Sequence, residues 1–254
     1  MSDKKLTSSL FTESIQLRNS TFAISDPIIE ELKLLINSEK ISKNFHINGC
    51  YSGSSFEITT KNGKLNSSKE IFPGEIGIFP MLEETGGIDI DISVIHGTSF
   101  DIDGEYTFDL SNSDGGGITI IVKIPKNQFT NEMLGIVSKK LYGHVAHELQ
   151  HACQRLIHRK KLKVAASTSV EKHIHDLDEI DARIEEILVM LNSYDDLSLE
   201  AFLSALDSYA DEYLTRNSVS DKTLYNSLKD KMNHSHLLAF RKKYCRGKNG
   251  ENNL

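Results

Sequence analysis

The chain of 254 residues carries 29 Lys+Arg against 36 Asp+Glu, a formal net charge of -7, and is 39% hydrophobic with four prolines. That length can bury a sizeable core, and the acidic balance offers no basic field, so neither nucleic acid nor an anionic membrane is expected as a partner. Three cysteines argue against a disulfide framework. No apolar run follows Met1-Ser2-Asp3-Lys4-Lys5 and no segment suits a membrane span, so a non-secreted, cytoplasmic protein is expected.

In chain order, a short helix is predicted over Pro27 to Asn37, and residues from about 45 to 124 read as strands. Phe56 to Thr60 followed by Asn62-Gly63 suggests a hairpin, and Ile88 to Ile92 alternate apolar with acidic. Asp103-Gly104 is expected to turn Ser99 to Ile102 back into Tyr106 to Leu110. Asp101-Ile102-Asp103-Gly104 reads as a turn in preference to a calcium loop, whose final bidentate position would fall on Leu110. Ile118 to Ile124, between Gly115-Gly116-Gly117 and Pro125, is a further strand.

A long helix is predicted next, from about Thr130 to Lys160, with Thr130 or Asn131 as the cap and Leu134, Val137, Leu141, Val145, Leu149 and Leu156 at helical spacing. It contains His147-Glu148-Leu149-Gln150-His151, a complete HExxH. Histidines four apart share one helix face, so both imidazoles can reach a single tetrahedral metal while the glutamate between them flanks a bound water. Zinc-dependent hydrolysis is the chemistry this pattern serves, with His147 and His151 as ligands and Glu148 as general base. His144, three residues earlier, reads as surface.

Catalytic zinc takes three protein ligands and keeps a fourth position open, so one donor must come from elsewhere. A metzincin pattern needs glycine at 154 and histidine at 157, where this chain has Gln154 and Ile157. His158 lies seven residues past His151, roughly 10 Å along a helix, too far to share the ion. Cys50, in Asn-Gly-Cys-Tyr-Ser, lacks the surroundings of a deformylase-like site and reads as a small buried side chain. The best candidate is Glu179 in Asp178-Glu179-Ile180-Asp181-Ala182-Arg183, on a return helix whose apolar stripe is Leu177, Ile180, Ile184, Ile187, Leu188 and Leu191. Asp176 with Glu179 three places on also reads as a capping box, and His173, His175, Asp178 and Asp181 remain open as ligands.

Beyond Glu179 the chain reads as helical over Leu197 to Arg216 and about Asp221 to Tyr244, with Phe202, Leu206, Tyr209 and Tyr213 marking one stripe. Tyr209 and Tyr213 are core candidates, with an oxyanion-donor role as the alternative.

His147, Glu148, His151 and Glu179 together resemble the gluzincin zinc metallopeptidases, and Glu179 followed by Ala182 and Arg183 is similar to the third-ligand motif of small metallopeptidases seen in phage genomes. The resemblance covers about residues 130 to 190 and implies an α+β, zincin-like fold: a mainly antiparallel β-sheet region over 1–126, then 127–254 with the active-site helix and a C-terminal helical bundle, forming one catalytic unit. It further implies a Zn2+ cofactor, a peptide or protein substrate, and a phage-encoded or virion-associated enzyme. The alternative from another class is a non-catalytic structural or interaction protein, for example of a phage particle, that keeps a structural or vestigial metal site.

Overall fold

The computed structural model describes helical residues between 15 and 34, six strands between 45 and 125, and residues 130–156, 169–191 and 198–245. Strand side chains are described only at 101–102 and 117–123. The chain is α+β and divides into two compact units, Gln16–Lys161 and a second that includes Leu162–Leu254.

In the first unit the strands are β1 (Phe45–Ser52), β2 (Ser55–Asn62), β3 (Leu65–Ile71), β4 (Ile88–Gly97), β5 (Asp101–Thr107) and β6 (Gly117–Pro125). They form one sheet of order β3-β2-β1-β4-β6-β5, in which β4 and β6 are parallel and the other neighbours antiparallel. The expected hairpin pairing is present: β2 and β3 are antiparallel, with Asn62 opposite Leu65. Asp103-Gly104, by contrast, makes no turn. β5 runs straight through it with Gly104 opposite Ile120, because the apolar β6 offers a full-length antiparallel partner that a two-residue hairpin would forfeit.

The period of two along β6 decides which face is covered. Ile118, Ile120 and Val122 are buried, as is Ile102 opposite Val122, while Thr119, Ile121 and Lys123 retain exposure. Helix α1 (Asn131–Leu156) packs against β5 and β6. Leu134, Val137, Leu141, Val145 and Leu149 are its buried stripe, each worth about 1.5–3 kcal/mol in removal from water. Thr130 caps it, its hydroxyl accepting from the Met133 amide at 3.2 Å and its carbonyl from Leu134 at 2.9 Å. α1 sits on the sheet, and both belong to the first unit, which runs to Lys161. In the N-terminal region residues 29–30 and 32–34 are helical within the expected Pro27–Asn37 span, and so are 15, 17–22 and 24–26, which were not anticipated. Phe22 packs edge-on against Tyr142, whose hydroxyl donates to Asp26.

Gly135, on the exposed side of α1, has nothing within 4 Å of where a Cβ would stand. Gly135→Ala is therefore expected to stabilise the protein by about 0.5–1 kcal/mol, read as a shift in denaturant midpoint.

The second unit is helical: α2 (Val170–His175), α3 (Leu177–Leu191), α4 (Leu199–Arg216) and α5 (Lys222–Phe240), ending in a π turn, Arg241–Cys245. Ser169, Ser198 and Asp221 accept from the Lys172, Ala201 and Leu224 amides, which fixes the starts of α2, α4 and α5. Ile180, Ile184, Ile187 and Leu188 are buried as their spacing predicts, but Leu177 at the first position of α3 is 73% exposed. Phe202 and Phe240 stack with centroids 3.9 Å apart between α4 and α5, and Ile174, Ala210, Leu214, Leu228 and Met232 form a second cluster.

Inside this unit burial, with the nearby Arg183 charge adding to it, pushes the imidazole of His236 down to about 3. It is held neutral while an unfolded His236 would titrate near 6.5, so the unfolded chain binds more protons between those values. Stability from His236 is thus present above about pH 6.5 and is lost as pH falls toward 3, with a slope of at most about 1.4 kcal/mol per pH unit. Denaturation of wild type and His236→Leu between pH 7 and 4 should show the shallower slope in the variant; equal slopes would assign the acid sensitivity to other groups.

Candidate metal centre

On α1 the HExxH spacing brings the two histidines to one place. Their Nε2 atoms stand 3.1 Å apart and the rings meet edge-to-face, with centroids 4.8 Å apart. Two nitrogens that share one tetrahedral zinc at about 2.0–2.1 Å are about 3.3 Å apart, so the pair fits such an ion with little movement. His151 is further constrained: its Nδ1 lies 2.9 Å from Oε1 of the buried Gln154, an acceptor, which places the proton on Nδ1 and leaves the Nε2 lone pair directed at the His147 side. Glu148, between them, is only 5% exposed. His144 is half-buried, not on the open surface, and engages in contacts of its own.

Glu179 belongs to the second unit, in the first turn of α3. Asp176 caps that turn, its Oδ1 accepting from the Asp178 amide at 3.0 Å and its carbonyl from the Ile180 amide at 2.9 Å. The cap half of the expected capping box is thus real, yet the Glu179 carboxylate is directed elsewhere: Oε1 meets His173 Nε2 at 3.1 Å and Oε2 meets Arg183 at 3.3 Å. Arg183 is 1% exposed, donates to the His173 carbonyl at 3.2 Å and lies over the Tyr213 ring, 4.6 Å from its centroid. His173 Nδ1 is 2.9 Å from the Tyr213 hydroxyl. His173, left open as a ligand, is therefore occupied as a partner of Glu179; His175 is exposed, and Asp178 and Asp181 are half-buried. Ala182 is fully buried.

Both tyrosines considered as oxyanion donors are committed within this unit. The Tyr209 hydroxyl donates to Glu186 Oε2 at 2.7 Å, and burial pushes its pKa well up; burial likewise raises Tyr213, so both phenols stay protonated at neutral pH. Cys50 lies on β1, where side chains are outside the described residues, as is His158. Sequence reasoning missed Gln154 and the buried role of Arg183. The signals were there in their spacings, His151 to Gln154 at three residues and Glu179 to Arg183 at four, which set side chains beside one another on a helix.

No protein-family model, curated protein or solved structure matches the chain. Among the described residues no helix is long and apolar enough to cross a membrane.

Proposed function

We propose that the chain is a zinc metallopeptidase of zincin-like fold, with His147, His151 and Glu179 as metal ligands and Glu148 as general base. The observation that carries this reading is the 3.1 Å Nε2 to Nε2 separation of His147 and His151, with Gln154 fixing the His151 tautomer that leaves a nitrogen lone pair for a cation. Two imidazoles and a carboxylate are a donor set that suits zinc and leaves one position open. Zinc, when bound, polarises a carbonyl and makes a coordinated water more acidic.

The protein's own groups supply the rest. Glu148 follows His147 by one residue, about 100° round the helix, so it borders the metal position without ligating it. Its low exposure keeps bulk water from competing for the proton it takes from the attacking water and returns to the leaving amine. β5 is an edge strand that packs on α1, and an extended peptide can add to such an edge through backbone hydrogen bonds, which favours a peptide or protein substrate.

Zinc content of wild type, His147→Ala and Glu179→Ala, measured beside cleavage of an unfolded-protein substrate, tests the assignment. Loss of zinc and cleavage in both variants is expected. A metal-free wild type would mean that the two imidazoles share only a proton, and zinc without cleavage would favour the structural, non-catalytic alternative. Loss in the histidine variant alone would remove Glu179 from the ligand set.

A further inference from the structure

The geometry points to His173, Tyr213 and Arg183 as positioning residues for Glu179, holding its carboxylate in one orientation before any metal arrives. This rests on the reading of Glu179 as the third ligand and adds what makes that carboxylate a good one.

His173 Nε2 stands 3.1 Å from Oε1 of Glu179, and Arg183 reaches its Oε2 at 3.3 Å. The donors are themselves fixed. The Tyr213 hydroxyl lies 2.9 Å from His173 Nδ1, which anchors the ring with Nε2 facing Glu179. Arg183 closes the circuit, donating to the His173 carbonyl at 3.2 Å and stacking over Tyr213. All four residues come from α2, α3 and α4 of the second unit, so the arrangement is complete without the histidines of α1. A glutamate on a surface helix turn would have to give up its rotamer freedom on binding the ion; this one has already done so.

Zinc affinity measured by chelator competition, together with the visible spectrum of the cobalt-substituted protein, tests the inference in wild type, Glu179→Ala, His173→Phe, His173→Gln and Tyr213→Phe. His173→Phe should weaken zinc binding about 10–100-fold and alter the cobalt bands, and Tyr213→Phe should weaken binding in the same direction by a smaller factor. His173→Gln, whose amide can donate from nearly the same place as Nε2–H, should recover most of the loss. A role confined to folding would lower the thermal midpoint and leave the affinity and cobalt spectrum of the folded fraction unchanged, and that result overturns the inference. If His173→Phe does not fold, Tyr213→Phe decides: it deletes one hydroxyl, and unchanged affinity there also overturns it. The ligand reading fails separately, by wild-type affinity in Glu179→Ala.

Discussion

Glu148→Gln is expected to bind zinc as the wild type does and to lose about 10²–10⁴-fold in turnover, the range of a missing general base. The amide keeps the length and planarity of the carboxylate, so the surroundings of a side chain only 5% exposed are little disturbed, but it cannot accept a proton at neutral pH. The imidazoles on either side are untouched, and their 3.1 Å separation, set by backbone spacing on α1, persists. Metal analysis and peptide cleavage on one preparation check both halves. Equal zinc with undiminished cleavage would remove Glu148 from the mechanism, while loss of zinc would make it a ligand.

Arg183→Met should cost about 3–5 kcal/mol of stability in the metal-free protein, measured by urea denaturation in the presence of a chelator. The substitution matches the stem but removes a buried cation. Glu179 and the His173 carbonyl each lose a donor, and the charge that offsets Glu179 and Glu186 near Tyr209 is gone. Arg183→Lys should rescue little, because a point charge cannot reach the Glu179 carboxylate and the His173 carbonyl together while stacking on Tyr213. A cost below about 1 kcal/mol would show that the carboxylates relax or protonate at little expense, and would weaken the case for a built site.

Local rules made much of the chain legible. Apolar spacing and a Thr130 cap located α1, the alternation and flanking glycines located β6, and Asn62-Gly63 located the β2–β3 hairpin. The failures share one cause. Asp103-Gly104 has strong turn chemistry, yet β6 makes a better partner for a continuous β5; Leu177 sits on the apolar period of α3, yet at the helix end no neighbour covers it. Periodicity names the face a residue belongs to, and burial depends on what packs there. The sequence likewise shows the apolar stripe of the motif helix but not that β5 and β6 receive it.

By itself the sequence determined the two imidazoles, because residues four apart on a helix must share a face whatever surrounds them, and with them the glutamate held between. Only the tertiary structure decided the state of Glu179. Its partner His173 lies on α2, Tyr213 on α4 bonds that histidine in turn, and Arg183 is drawn in from what would otherwise be a solvated helix face. Hydrogen bonds between elements distant in sequence leave no periodic trace in it, so a carboxylate readable as the partner of a helix cap is instead met by His173 and Arg183.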